Sequence, residues 1–265
     1  MKMNTNNFIN NYLSTNNTLQ KVIARSCELL KSESGKDAFT YIKSRVSDKI
    51  IKNYKFGYFP NSNNISQLNV DIEDLKSVKL IFQKNLKDNF NTIVTNSFFE
   101  NHSLIFPIQD EYNNIVGLIG RTLLSEKEYK SKGLDKYKYT FFSKSHILFG
   151  LNKAKESIAN YKSVILVEGQ LDCIQLQSHG IYNSVALGGL DLHYYQYYLL
   201  KKYGGEKLRI YALLDNDERG QEGIRKLQNK FKDKTNIIKL SLPSNVKDID
   251  DHIKSNNNLN FLANI

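Results

Sequence analysis

The second half of the chain alternates short apolar runs with stretches of helical spacing. Residues Val164–Val167 form a continuous aliphatic run, which is typical of a strand buried on both faces. Three further strands are predicted at 184–187, 208–214 and 236–240, with helices between them at 171–178, 192–202 and 221–231. This β-α-β-α-β-α-β order predicts a mostly parallel sheet with helices on its faces.

The first half has a different pattern. Apolar residues at helical spacing predict helices over 19–30, 37–51 and 71–86. Two apolar stretches, 104–109 and 115–120, flank the polar segment 110–114 and predict a β-hairpin with a five-residue loop. A charged loop is expected over 126–138, and a further strand within 141–150.

The predicted fold class is therefore α/β. An α+β N-terminal subdomain is expected over residues 1–162, and an α/β subdomain with a mostly parallel sheet over 163–254, followed by a short tail at 255–265. In sheets of this kind, ligands bind beyond the carboxyl ends of the strands.

Composition narrows the class of protein. The 265 residues include 37 Lys and Arg against 27 Asp and Glu, a net charge of +10, which favours a polyanionic partner, although a Lys-, Asn- and Tyr-rich chain can also reflect AT-rich coding. The excess is uneven, since residues 1–162 carry 24 basic and 15 acidic side chains, a net +9. Without a signal peptide or a membrane-length apolar run, a cytoplasmic location with no membrane partner is expected.

Two cysteines, Cys27 and Cys173, cannot form a four-thiolate zinc site, and the sequence has no CxxC pair. We therefore expect no zinc and interpret both cysteines as small apolar residues.

Three acidic clusters follow the predicted strands. Their members are Glu168 and Asp172, then Asp215 and Asp217, then Asp248, Asp250 and Asp251. Each cluster alone is most simply a turn, a helix cap or a solvated pair. Together, at one edge of a parallel sheet, they would repel each other unless cations lie between them. Such oxygen ligands suit Mg²⁺ or Mn²⁺, so the pattern indicates a metal-dependent site.

The first two clusters resemble a known domain. Val167-Glu168-Gly169-x-x-Asp172 and Leu214-Asp215-Asn216-Asp217-x-x-Gly220 resemble the Toprim motif of a Glu followed by DxD. Toprim domains occur in bacterial-type primases, type IA and II topoisomerases, OLD-type nucleases and RecR-type repair proteins. The segment 242–251 resembles the primase version, with Ile249 and Asp251 in place of the Pro and Glu of its DPDE-like element.

The residues before this domain distinguish among these families. The stretch 106–121 resembles the FPI-D…VIGF-GR stretch of DnaG-type primases, 138–150 resembles their KY…F-K…LYGL stretch, and 57–60 resembles GYAP. The resemblance spans about residues 25–254. A topoisomerase would also need a catalytic tyrosine in a further domain. The chain thus resembles a DnaG-type DNA primase catalytic core.

This resemblance implies metal-dependent synthesis of short RNA primers from NTPs on a single-stranded DNA template. It implies that Asp215, Asp217 and Asp248 hold the metal ions and that Asp250 is a further ligand. Glu168 would bind the metal nearest the attacking hydroxyl or accept its proton, so Glu168, Asp215 and Asp217 are the expected catalytic residues. Asp172 is expected to orient a cation or the backbone.

The resemblance also implies contacts to template and nucleotides from Arg121, Lys138, Tyr139 and Lys144. Because the loop before Lys138 departs in length from the family, Lys136 and Tyr137 could take the place of Lys138 and Tyr139. The tyrosine-rich segment 194–198 is interpreted as helix packing.

The family's zinc-binding and helicase-binding domains have no counterpart in these residues. The chain is expected to be a compact protein of a phage or other mobile element, with a replicative helicase as a possible partner, or else an excised core. A Toprim nuclease and a non-catalytic nucleic-acid-binding module remain alternative functions.

Overall fold

The computed structural model describes residues 5–85, 93–243, 246–256 and 259–262. The chain divides into two compact units, Met1–Ile108 with Ile115–Phe142, and Gln109–Asn114 with Ser143–Ile265. The boundary predicted after residue 162 stays a prediction. Within the described residues, no helix is both long and apolar enough to cross a bilayer.

The first unit combines helices with two small sheets. Its helices are α1 (Thr5–Leu29), α2 (Lys36–Lys43), α3 (Asp48–Asn53), α4 (Ile72–Ser77) and α5 (Glu126–Ser131). Its strands are β1 (Gly57–Tyr58), β2 (Ile81–Asn85), β3 (Ile93–Ser97), β4 (Leu104–Gln109, whose last residue belongs to the second unit), β5 (Ile115–Arg121) and β6 (Tyr137–Tyr139). One sheet has the order β1-β4-β5-β6 and the other pairs β2 with β3. The apolar face of α1, including Val22 and Ile23, contributes to a core that also buries Phe59 and Leu118.

The predicted hairpin is confirmed, since β4 and β5 are neighbours in the first sheet. The turn between them closes on Asp110, whose Oδ1 accepts the backbone N–H groups of Tyr112 and Asn114 at 2.9 Å each. This is the usual way in which an aspartate stabilises a tight turn.

Four local predictions for residues 37–150 were wrong. Residues 37–51 form two helices because Ser44 Oγ donates to the carbonyl oxygen of Tyr41, closing α2, and Ser47 is extended. Of the helix predicted over 71–86, Ile72–Ser77 is helical, whereas the segment from Ile81 pairs with the next strand, β3; residue 86 lies outside the described residues.

The other two wrong predictions concern the segments 126–138 and 141–150. The segment 126–138 contains α5, whose start is a capping box between Ser125 and Glu128, and then β6. Residues 141–150 form a short 3-10 turn at Lys144–His146 in place of a strand, and Phe149 makes a single bridge to Ala186.

The second unit confirms the alternating pattern. Its strands are β7 (Ser163–Val167), β8 (Ser184–Ala186), β9 (Arg209–Leu213) and β10 (Ile237–Lys239), and its helices are α6 (Leu151–Tyr161), α7 (Gln170–Ser178), α8 (Tyr194–Gly204), α9 (Glu218–Phe231) and α10 (Ile249–Asn256). All three strand pairs are parallel, in the order β10-β9-β7-β8. Every residue of β7 is buried. The continuous aliphatic run at Val164–Val167 had predicted such a strand, buried on both faces. The predicted α/β fold class is thus confirmed.

Candidate active site

The parallel sheet places the first two acidic clusters side by side. Strands β7 and β9 are neighbours, and Val167 at the end of β7 is opposite Leu213 at the end of β9. Glu168 directly follows β7, and Asp215 lies two residues beyond β9. Glu168 and Asp215 therefore lie at the same edge of the sheet, as expected from the predicted parallel strands.

Asn216 attaches the third acidic cluster to this edge. Its backbone N–H donates to the carbonyl oxygen of Lys247 at 2.7 Å. Its side-chain amide donates to the carbonyl oxygens of Pro243 and Val246, at 3.2 Å each. These three bonds hold the chain just before Asp248 against the loop that carries Asp215. This role of Asn216 is not evident from the sequence, because its partners are backbone atoms of a distant segment.

The carboxylates of Glu168, Asp215, Asp217 and Asp248 are close enough to affect the ionisation of Glu168 and Asp215. Burial raises the pKa of Asp215 to about 7, with further increases from Glu168 and Asp248 and an opposing effect of Lys247. Burial also raises the pKa of Glu168, and the negative charge of Asp217 raises it further. Carboxylates that disfavour each other's ionisation are a common feature of functional sites.

Asp217 lies at the N-terminus of α9. Its Oδ1 accepts the backbone N–H of Gly220 at 2.8 Å, which caps the helix, and its side chain is exposed. A Cβ atom on Gly220 would lie 2.1 Å from the carbonyl oxygen of Asp215, so a glycine is needed for this tight turn. The spacing D-x-D-x-x-G therefore has a steric basis within the protein.

Asp172 is buried in the first turn of α7 and accepts the backbone N–H of Asp250 at 3.3 Å. Burial and the nearby charges of Asp248 and Asp215 raise its pKa well above the ordinary range. Asp172 thus orients the backbone at the start of α10, as the sequence predicted.

The structure places Asp250 between two side chains of the same unit. Its Oδ1 accepts the side-chain amide of Gln175 at 2.9 Å, and its Oδ2 accepts the ammonium group of Lys254. Its role as a further metal ligand stays a prediction.

The donor set fits a hard divalent cation. Glu168, Asp215, Asp217 and Asp248 offer carboxylate oxygens at one sheet edge, and Mg²⁺ prefers such ligands together with water and phosphate oxygens. In the described residues, no group of three or more acidic, histidine or cysteine side chains is arranged closely enough to hold a metal ion. An open groove of about 790 Å³ runs beside Asp217 along the start of α9, lined by Asn216, Asp217, Glu218, Gln221, Glu222 and Arg225.

The first unit contains the predicted basic residues of β5 and β6. The guanidinium group of Arg121 lies 4.1 Å from the centre of the Tyr41 ring, and that of Arg45 lies 3.8 Å from the same ring. Tyr41 lies in α2 and Arg45 in the turn that follows it, and this stack was not evident from the sequence because it involves Arg121 of β5, a segment distant in the chain. Such stacking restricts both guanidinium groups while leaving their charge available.

Lys138 and Tyr139 lie on β6, where Lys138 is opposite Gly120 and Tyr139 is opposite Ile119. The ammonium group of Lys138 lies 4.3 Å from the centre of the Phe98 ring, and burial lowers its pKa. Tyr137, the alternative to Tyr139, is opposite Arg121. The predicted roles of these residues stay predictions.

Comparison with known proteins assigns both parts of the chain. Residues 26–155 match the family "DNA primase catalytic core, N-terminal domain", and residues 165–253 match the Toprim-like family. A DNA primase of Lactococcus lactis is 30% identical over 199 residues, which cover 75% of this chain and 30% of that protein.

Two solved structures are similar over most of the chain. The Aquifex aeolicus primase, with its zinc-binding and RNA polymerase domains, is 28% identical with a TM-score of 0.69, covering 90% of this chain and 59% of that one. A DnaG primase catalytic domain bound to single-stranded DNA has a TM-score of 0.74 at 19% sequence identity. The match covers 97% of this chain and 81% of that one, which shows that the two share a fold.

The parallel sheet and its carboxylate cluster define a Toprim-containing protein. With both family matches, the chain belongs to the family of DnaG-type DNA primase catalytic cores. It spans about a third of the length of the curated relatives that it matches.

Proposed function

We infer that this protein is a primase core, which synthesises short RNA primers on single-stranded DNA by metal-dependent nucleotidyl transfer. The observation that carries this proposal is the coupled carboxylate cluster at the edge of a Toprim sheet, in a chain whose preceding residues match the primase N-terminal domain. The family uses divalent metal ions, and Mg²⁺ or Mn²⁺ suits the oxygen ligands present here.

Asp215, Asp217 and Asp248 would hold the metal ions, with Asp250 as a further ligand. When bound, such ions neutralise the triphosphate and stabilise the leaving pyrophosphate. Glu168 would accept the proton of the primer 3′-hydroxyl or hold the metal ion beside it. Burial and the negative charge of Asp217 raise the pKa of Glu168, which favours its uptake of a proton. Asn216 positions Asp248 relative to Asp215.

Arg121, Lys138 and Lys144 would contact the phosphates of template and nucleotide, and Tyr139 would stack on a base. The net charge of +9 over residues 1–162 supports a role of that part of the chain in binding the template. The bound single-stranded DNA in the related DnaG domain supports the same substrate class.

A primer-synthesis assay tests the proposal. The protein is incubated with single-stranded DNA, labelled NTPs and Mg²⁺ or Mn²⁺, and we expect oligoribonucleotides. Asp215→Ala should abolish them, whereas Asp233→Ala, a matched change of an exposed aspartate after α9, should not. Shortened DNA without NTP incorporation would indicate a nuclease. Bound DNA with neither product would indicate a binding module.

A further inference from the structure

Helix α8 presents a row of exposed aromatic side chains. Tyr195 and Tyr198 are 46% and 61% exposed, and Lys202 is exposed on the same face, one helical turn further along. The interpretation of segment 194–198 as helix packing fits Tyr197 and Tyr194, whose rings pack on Phe231 at 4.9 and 5.3 Å.

Neighbouring loops extend this row at both ends. The His146 ring lies 4.6 Å from the Tyr195 ring, and the Tyr195 ring lies 6.2 Å from the Tyr198 ring. Beyond Tyr198, the ammonium group of Lys202 donates to the hydroxyl group of Tyr112, which is 63% exposed, at 3.0 Å. We call these five residues, His146, Tyr195, Tyr198, Lys202 and Tyr112, the α8 ridge.

The ridge is built on fixed backbone. Gln196 of α8 is fully buried, and its side-chain amide donates to the carbonyl oxygens of Lys144 and Ile147, at 3.0 and 2.8 Å. The loop that carries Lys144 and His146 is therefore attached to the helix that carries the tyrosines. Lys144, already expected to contact nucleic acid, lies at one end of the ridge.

We propose that the α8 ridge is a stacking surface for single-stranded nucleic acid, over which a strand passes as it leaves or approaches Lys144. This inference rests on the proposed function. Exposed aromatic rings beside cations are what sequence-tolerant binding of single strands requires, because every base has a π-face and every nucleotide a phosphate.

The chemistry of the ridge favours nucleic acid over a protein partner. Its members are three tyrosines, a histidine and a lysine, with no aliphatic side chain. Acidic side chains around the helix are compensated: Asp191 pairs with Lys230 at 2.8 Å, Glu206 with Lys201 at 3.1 Å, and Glu111 with Lys202 of the ridge itself at 3.5 Å. The 6.2 Å between the two tyrosine rings exceeds the rise of about 3.4 Å per nucleotide in a stacked strand. The ridge thus suits an extended strand with separated bases.

The test measures the affinity of the full chain for a fluorescent oligo-dT by anisotropy at several salt concentrations. Tyr195→Ala and Tyr198→Ala should each weaken binding roughly five- to 150-fold, the loss of one stacked base. The slope of log affinity against log salt should stay unchanged. Lys144→Ala should instead lower the magnitude of that slope by about one. Tyr182→Ala, at an exposed tyrosine outside the ridge, is the matched control and should leave affinity unchanged.

Two further measurements distinguish the loss of stacking from a loss of protein structure in the alanine variants. Tyr195→Phe and Tyr198→Phe should keep near-normal affinity, because the ring remains. An abasic oligonucleotide should bind the unaltered protein more weakly, and the alanine variants should bind it no worse than the unaltered protein does. Equal oligo-dT affinity of the alanine variants and the unaltered protein would overturn the proposal and leave the ridge as a candidate protein-binding face. A failure of the unaltered protein to bind oligo-dT at low salt would overturn it too.

The primer-synthesis assay keeps this proposal distinct from the proposed function. If the chain binds oligo-dT in a tyrosine-dependent way but makes no primers, the ridge stands and the primase function fails. If it makes primers and the tyrosines do not affect binding, the ridge fails and the primase function stands.

Discussion

The backbone N–H of Asn216 donates to the carbonyl oxygen of Lys247 at 2.7 Å, joining the loop after β9 to the segment that precedes α10. This bond lies between Asp215 and Asp217 on one side and Asp248 on the other. It makes the third acidic cluster part of the site, and the side-chain bonds of Asn216 to Pro243 and Val246 reinforce it.

Asn216→Ala removes the two side-chain bonds and leaves every carboxylate in place. Because a lost supporting hydrogen bond lets a ligand drift, we expect metal affinity to fall about 10- to 100-fold. Titration calorimetry with Mn²⁺ measures this affinity directly. Asn229→Ala, at an exposed position of α9, should leave the affinity unchanged. Normal Mn²⁺ affinity in Asn216→Ala would show that the backbone bond to Lys247 suffices.

Gly220→Ala should destabilise the fold. The added methyl group would lie 2.1 Å from the carbonyl oxygen of Asp215, so the turn after β9 or the start of α9 must shift. Overpacking of this kind costs about 1–3 kcal/mol in the free energy of unfolding, measured by urea denaturation. At Gly189, where a Cβ atom meets nothing within 4 Å, the same change is the control. Equal stability of the two variants would contradict this account of the turn.

The carboxylate cluster predicts an unusual pH dependence in the absence of metal. Glu168, Asp172 and Asp215 have raised pKa values in the folded protein, that of Asp215 about 7, so the folded state binds more protons than the unfolded state above about pH 4. These groups therefore contribute most to stability at low pH, and their contribution is lost as the pH rises through the raised values.

Urea denaturation in EDTA at pH 5 and pH 8 tests this dependence. The free energy of unfolding should fall more between these pH values for the unaltered protein than for Asp215→Asn, whose amide cannot ionise. Saturating Mg²⁺ at pH 8 should restore stability to the unaltered protein, because a ligand that binds the folded state stabilises it. A pH dependence that is identical in both proteins would show that Asp215 ionises normally.

Arg121→Ala should weaken template binding mainly through charge. Its guanidinium group is held on the Tyr41 ring, so it is pre-positioned for a phosphate. Loss of one phosphate contact should lower the magnitude of the salt slope of single-stranded DNA binding by about one. Arg209→Ala, which removes an exposed arginine at the start of β9, at the opposite end of the strand from Asp215, serves as the comparison. If both variants show the same slope as the unaltered protein, Arg121 contacts no phosphate.

The sequence by itself determined the Toprim half of the protein. The uncharged run at Val164–Val167 and the alternation after it required a parallel sheet, and parallel strands bring Glu168 and Asp215 to one edge whatever the loops do. The spacing of Asp215, Asp217 and Gly220 was equally informative. Asp217 must cap α9, and residue 220 must be a glycine because it lies against the carbonyl oxygen of Asp215. These features depend on local periodicity and on a general rule of topology.

Tertiary structure decided the features that depend on pairing or packing with another segment of the chain. The strand at Ile81–Asn85 exists because β3 pairs with it, although its sequence has helical spacing. Asn216 reaches backbone atoms beyond β10, and Gln196 attaches the loop of Lys144 to α8. Sequence alone could not show which tyrosines of α8 are buried, because burial depends on Phe231 of another helix packing against Tyr197 and leaving Tyr195 and Tyr198 exposed.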